Sequence, residues 1–317
     1  MRLAVFGAAG VVGRALLPVL RDRGHALRAM QHRTPVDIDG VEVVAGSITD
    51  PAAVTETLGD AEVVLQLTKG GSGVDQVAET SVRGTINVLD AVRAAGTVRQ
   101  YVLTSSDAAT GIWSHPHPEP ISHATPPMSY GGYYSLGKVL EEVIVGEYHR
   151  NGPLPWTIAR LSFVMREDLA VRLLVAGADP DRPTRGPFDA HYTPEQRARL
   201  AAGETFIVLP CDPDGRALGR TFVQLEDVVE ALAAMVGADA AVGRTFHVSG
   251  PAFSYQRACD YLAAKIDLPI ERVIVPGAYS FEIDCSLTTE LLGWRAARGI
   301  EAILDAALAF RRHAGGT

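Results

Sequence analysis

Cysteine is scarce in this 317-residue chain: Cys211, Cys259 and Cys285 are scattered, odd in number and without metal-ligand spacing. That argues against a disulfide framework and a cysteine-held metal, and it suits a reducing compartment. Long apolar runs are missing too. No stretch approaches the roughly 18 residues of a membrane-spanning helix, so no membrane partner is expected. The opening "MRLAVFGAAG" has no signal-peptide layout, because glycine interrupts the apolar run at position 7. A cytoplasmic protein is the economical expectation. Positive charge is also short: 29 Lys and Arg against 37 Asp and Glu give a formal net charge of −8. Such a surface argues against a nucleic-acid partner, while a local basic pocket for a small anion stays open.

What is present is an ordinary globular composition, 47% hydrophobic and 21% charged, long enough for one large or two modest cores. Through the first half, short apolar runs alternate with helical patterns. "RLAVFGA", "ALRAMQHR", "VEVVAG", "AEVVLQLT", "RQYVLTSS" and "PWTIARLS" read as strands. Between them lie helical stretches such as "GRALLPVLRDRG" and "PAAVTETLG", the second opening on Pro51 behind Asp50 as N-cap. The fold class expected is α/β: a Rossmann-like, doubly wound parallel sheet with a smaller C-terminal substrate-binding lobe. Residues 1–165 should form the main sheet domain, with 221–250 returning to it. Residues 166–220 and 251–317 should form the lobe.

"VFGAAGVVGR" sets Gly7, Gly10 and Gly13 between the first strand and first helix. Gly7 permits a tight turn, Gly10 lets backbone approach a pyrophosphate, and Gly13 allows close helix–strand packing. The phosphates would sit on free N–H groups of the helix start, around Val11 and Val12. At the end of the second strand, where an acidic residue would bond the ribose of NAD, the chain reads "MQHR". Gln31 is uncharged and Arg33 could pair with a 2′-phosphate, so NADP is preferred, with NAD possible. The bland alternative is that Arg33 is a solvated loop arginine.

"GGYYSLGKVLEE" carries the chemistry. Residues i and i+4 share a helix face, so Tyr134 aligns with Lys138 and Tyr133 does not. A free tyrosine has a pKa of about 10, and a nearby ammonium favours its phenolate; a shift of three units needs roughly 4 kcal/mol. Such a phenol can take a proton from an alcohol or give one to a carbonyl as hydride moves. "YVLTSSDAATG" supplies hydroxyls at a strand's C-terminal end to orient the substrate oxygen. Ser106 leads, with Ser105 and Thr104 as alternates. Asp107 either tunes the site and contacts substrate or merely forms a turn.

With "GAAGVVG", "GSITD", "SVRGTINVLDA", "YVLTSSDAATG", "YYSLGK" and "TFVQLEDVVEA" in view, nearly the whole chain resembles the extended short-chain dehydrogenase/reductase superfamily, in particular its NAD-dependent epimerase/dehydratase branch. The resemblance implies a catalytic Ser106, Tyr134 and Lys138, with Lys138 also bonding the nicotinamide ribose. It implies cofactor contacts at Gly7, Gly10, Gly13 and Arg33, at Ser47 and Ile48 near adenine, and at Leu67 and Thr68 after the fourth strand. It further implies a homodimer built on helices around 81–95 and 134–150. Departures are plain: Ser47 replaces an Asp, Lys69 follows Thr68, Ser81 replaces an Asn, and "ARLSFVM" stands where an Arg-Pro-Gly-Asn stretch is usual. Arg220 matches a position that grips the nucleotide diphosphate, so it is either a substrate-anion contact or a surface charge.

The expected function is an NADP-preferring oxidoreductase acting on a small hydroxylated or carbonyl-bearing metabolite, sugar-derived molecules among them. Epimerase/dehydratase chemistry by transient oxidation is the alternative, and a non-catalytic NAD(P)-binding sensor the third reading. His115, His117 and His123 lie among prolines and read as an extended loop, with no metal expected. "KGGSGVD" reads as a flap or an ordinary loop. Glu141 and Glu142 read as a solvated or interface helix face.

Overall fold

The computed structural model describes residues 1–178 and 188–314. Residues 179–187 and 315–317, both inside the expected lobe, lie outside the described residues. The first half alternates as the sequence pattern requires. β1 (Arg2–Phe6), α1 (Val11–Asp22), β2 (Ala26–Gln31), β3 (Val41–Ala45), α2 (Pro51–Leu58) and β4 (Val63–Gln66) follow in order. Next, α3 (Val74–Gln76), a π-helical stretch (Val77–Gly84) and α4 (Thr85–Ala95) run on from one another. β5 (Gln100–Ser106), α5 (Tyr133–Arg150) and β6 (Trp156–Leu161) complete this half. As expected, Asp50 caps α2, its Oδ1 accepting from the Ala52 N–H at 2.9 Å.

The second half holds shorter pieces: β7 (Phe163–Met165), α6 (Leu169–Leu174), β8 (Val175–Ala176), α7 (Pro194–Ala201), β9 (Phe206–Cys211) and β10 (Gly219–Gln224). After them come α8 (Leu225–Met235), β11 (Arg244–Val248), β12 (Ala252–Ser254), α9 (Tyr255–Ala263), β13 (Ile270–Ile274), α10 (Ser286–Leu292) and α11 (Ile300–Ala314).

Seven strands form one parallel sheet in the order β11-β6-β5-β4-β1-β2-β3. The direction of winding reverses between β1 and β4, which opens a crevice beyond their C-terminal ends. β4 and β5 are buried at every position, because helices cover both faces. On one face Leu16, Leu17 and Leu20 of α1 pack with Val228, Leu232 and Met235 of α8. On the other, Val54, Leu58, Leu89 and Val145 come from α2, α4 and α5. Each such fully buried side chain contributes roughly 1.5–3 kcal/mol.

Two small sheets, β12-β10-β7 and β13-β9-β8, build the lobe side with α6, α9 and α11. Of the segment 221–250, α8 and β11 return to the main sheet, whereas β10 pairs with β7 and β12. Strand alternation explains the difference. Phe222 points into the lobe cluster and Val223 into the main core, so β10 lies between the two.

Candidate active site

β1, β4 and β5 all end at the same edge, and each delivers part of the site. After β1 the chain turns at Gly7, whose φ of +91° suits glycine. A Cβ there would lie 2.7 Å from the Leu67 carbonyl carbon, so this turn and the end of β4 touch only because Gly7 has no side chain. Gly10 then N-caps α1 with no side-chain bond, leaving that helix start open to an anion. Gly7, Gly10, Arg33, Ser47 and Ile48 line one cavity of about 430 Å³. Leu67 and Thr68 line it as well. These residues fit a dinucleotide, whose pyrophosphate the glycine turn would hold. Val11, Val12 and Gly13 are not part of this lining. Gly13 is buried, and a Cβ on it would come 2.3 Å from the Ala8 carbonyl oxygen, so it serves helix packing. Gln31 is occupied elsewhere, its Oε1 accepting from the Val36 N–H at 2.8 Å.

The buried strand β5 carries the three candidate hydroxyls. Thr104 donates to the Gln66 carbonyl at 3.1 Å, and Ser105 donates to Glu142 Oε1 at 2.5 Å. Both are committed to structural contacts. Ser106 lies one residue further out, donates to Asp107 Oδ1 at 3.0 Å and accepts from the Ala108 N–H at 3.2 Å. Asp107 is buried, and Ser162 also donates to it at 3.3 Å. Burial raises its carboxyl above the usual range, against the opposing pull of Arg220 and the two serines.

α5 starts immediately after Gly131 and Gly132, whose φ values of +104° and +83° break the preceding chain. Tyr134 falls in its first turn and Lys138 one turn later, so the expected pair is on one helix. Ser135 between them donates to the Ala108 carbonyl at 2.7 Å and ties α5 to the turn after Ser106. Lys138 is buried and donates to the carbonyls of Thr68 at 3.1 Å and Thr104 at 2.8 Å, and to Glu141 Oε2 at 2.8 Å. Burial pulls its pKa down, but the charges of Glu141 and Tyr134 outweigh that and hold it above the ordinary value. The Lys69 ammonium lies 5.1 Å from the centre of the Tyr134 ring. Tyr133, by contrast, is exposed.

Glu141 and Glu142 are not on a solvated face: both are buried. Each has a cation to offset its desolvation. Glu141 pairs with Lys138, and Glu142 is bonded by Arg160 through Nε at 3.0 Å and Nη2 at 2.8 Å. For Glu141 the signal was in the spacing, three residues after Lys138 on the same helix face.

Arg220 is not a free surface charge. Its guanidinium lies 4.8 Å from the ring centre of Trp113, 4.9 Å from Phe163 and 5.5 Å from Phe222. Its Nε is buried without a hydrogen-bond partner. It also borders a second cavity of about 580 Å³, with His117, Phe253, Ser254, Phe281 and Glu282. Trp113 adopts a φ of +71°, a strained value for a large side chain. Sequence pattern does not single out Trp113 or Phe163, and it sets Tyr130 aside, one turn before Tyr134, because Gly131 and Gly132 interrupt the helix there. Burial raises the phenol of Tyr130, and the charges of Asp107 and Tyr134 add to it, which places it near both residues. Among the described residues no group of three His, Cys, Asp or Glu side chains is placed to hold a metal.

A seven-stranded parallel sheet with this glycine turn and this Tyr134–Lys138 helix defines an extended short-chain dehydrogenase/reductase. Within that class, the chain belongs to the NAD dependent epimerase/dehydratase family, whose sequence pattern matches residues 3–249. A 2-alkyl-3-oxoalkanoate reductase of Stenotrophomonas maltophilia is 32% identical over 121 residues, 37% of this chain and 36% of that protein. The match thus spans about a third of that relative's length. A UDP-glucose 4-epimerase of Mycolicibacterium smegmatis is 27% identical over 318 residues, covering 93% of each chain. Among solved structures, a short-chain dehydrogenase/reductase superfamily protein of Agrobacterium tumefaciens with bound NAD superposes with a TM-score of 0.82 at 24% identity, over 99% of this chain and 98% of that one. That last likeness is one of fold.

Proposed function

We propose that this enzyme transfers a hydride between a nicotinamide dinucleotide, NADP in preference to NAD, and a small hydroxylated or carbonyl-bearing metabolite. Tyr134 moves the proton, Ser106 orients the substrate oxygen, and Lys138 holds the cofactor and the charge beside Tyr134. The cofactor, when bound, supplies the hydride acceptor or donor. The observation that carries this reading is the convergence of the glycine turn, the end of β5 and the first turn of α5 on one sheet edge. The NADP preference rests on Arg33 in the cavity lining and on a Gln31 turned into its own loop. The substrate stands against Arg220 and the three aromatic rings around it, a setting for an anionic or delocalised group on a partly apolar body.

Transient oxidation followed by reduction, as in an epimerase, is the second reading, favoured by the end-to-end likeness to a UDP-glucose 4-epimerase. One experiment addresses both. The protein is mixed with NADP or NAD and a panel of alcohols, hydroxy acids and nucleotide sugars, and absorbance of reduced nicotinamide is followed. Net reduced cofactor with one substrate supports the oxidoreductase. Isomerised sugar without net reduction supports the epimerase, and no nucleotide binding at all overturns both.

The reading includes a homodimer through α4 and α5, supported by the exposed stripe Tyr133, Leu136 and Val143. It also places the protein in the cytoplasm, in keeping with three unbridged thiols. Light scattering of the purified protein at monomer mass would remove the dimer.

A further inference from the structure

We propose that Glu141 is a positioning residue that competes with the bound cofactor for Lys138. The inference rests on the cofactor reading above and deepens it. An ammonium has three protons to donate. All three of Lys138 have acceptors: the Thr68 carbonyl at 3.1 Å, the Thr104 carbonyl at 2.8 Å and Glu141 Oε2 at 2.8 Å. Lys138 therefore reaches a ribose hydroxyl only by releasing one of them. The Thr104 carbonyl belongs to β5, which is paired on both sides within the sheet, and Thr68 lies just past the end of β4. Glu141 is a side chain with free torsions, so it is the partner that can leave.

A destination for it is already built. Glu141 Oε1 and the Ser81 hydroxyl are both buried without a hydrogen-bond partner, and Ser81 lies near enough to that carboxylate to pull its pKa down against the larger effect of burial. Ser81 sits in the π-helical stretch, an irregularity that recurs at functional sites. It is wedged between Gly70 and Gly137, where added Cβ atoms would lie 2.5 and 2.8 Å from its Oγ. The pair Lys138–Glu141 is almost fully removed from water, at 4% and 0% side-chain exposure, so salt barely screens it. The titratable groups facing it are Tyr134 and Glu142 from α5 and Tyr101 from β5. A carboxylate holds an ammonium more strongly than an amide does. The native Glu141 therefore restrains Lys138 until the cofactor displaces it.

The test needs no substrate. The full chain is titrated with NADPH and with NADH, following nicotinamide fluorescence. Glu141→Gln keeps shape and an acceptor but drops the charge, and should tighten binding roughly fivefold or more. Ser81→Ala removes the destination and should weaken binding by a similar factor. In a Lys138→Met background neither change should matter. A residue with only a structural role would not give opposite signs. Unchanged or weaker binding in Glu141→Gln, with its melting temperature retained, overturns the proposal. Where Glu141→Gln fails to fold, Ser81→Ala decides: undiminished binding, or the same loss in the Lys138→Met background, overturns it. A native protein that binds neither nucleotide instead sinks the cofactor reading, so the two failures are distinct.

Discussion

Ser106 gives its one hydroxyl proton to Asp107, Oγ to Oδ1 at 3.0 Å, and both residues are buried. While that bond stands, Ser106 offers a substrate oxygen only a lone pair, since its other contact is the Ala108 N–H it accepts. A substrate oxygen whose own proton faces Tyr134 can only accept from Ser106, so Ser106 must release Asp107 to orient it. The arrangement costs stability, because burial raises the Asp107 carboxyl above the usual range.

The sign of that cost is testable. A carboxyl whose folded pKa lies above its unfolded value destabilises the native state where it is ionised, and the penalty fades as pH falls through the folded pKa. Asp107→Asn should therefore raise the urea midpoint at pH 7.5, with the gain shrinking toward pH 4. A lower midpoint at pH 7.5 would show that Arg220 and the serines more than compensate for burial.

Tyr134→Phe should reduce turnover by about 10²–10⁴-fold, the usual worth of a positioned acid–base group. Binding of NADPH, followed by fluorescence, should stay within about threefold, as the ring is kept. Turnover within tenfold of native would transfer the proton role elsewhere, Tyr130 being the next phenol at that corner.

Gly7→Ala places a methyl group in backbone already at φ +91° and against the Leu67–Thr68 peptide. Strain of roughly 1–3 kcal/mol is expected, seen as a lower thermal midpoint, together with loss of detectable nucleotide binding. Retained binding would mean that the cavity at this turn is not where the pyrophosphate lies.

His247 should make the protein acid-sensitive. Burial, with Arg160 adding, pushes its imidazole down to about 3, and its Nε2 lies 3.1 Å from the Ser122 carbonyl. Below the unfolded value of about 6.5 the unfolded chain binds a proton that the folded one refuses, so stability falls with pH down to about 3. Between pH 7.5 and 5.5 the loss from this group is about 1.4 kcal/mol. His247→Gln should flatten that part of the profile; an unchanged slope would locate the effect in other groups.

The order of strands and helices through residue 161 was legible because each element there is decided locally. Apolar runs, glycine breaks and the Asp50–Pro51 cap need no distant partner to be recognised. The lobe was less legible. β9, "FIVLPC", carries Pro210, and only its place between β8 and β13 makes it a strand. β10 seemed to return to the main sheet because its apolar alternation serves two cores, and a linear pattern does not say which face meets which core.

At the site the same division holds. Sequence alone determined the parts whose logic is short-range: the Gly7 turn, the helical phase that selects Tyr134 over Tyr133, and the hydroxyls at the end of β5. Tertiary structure decided the charges. Glu141 and Glu142 read as a solvated or interface face in sequence, but Lys138 and Arg160 make their burial tolerable, and Arg220, open in sequence between a substrate-anion contact and a surface charge, has three aromatic rings around it. A charge's environment is set by what packs against it from distant segments, and desolvation and Coulomb interactions depend on that packing rather than on neighbours in the chain.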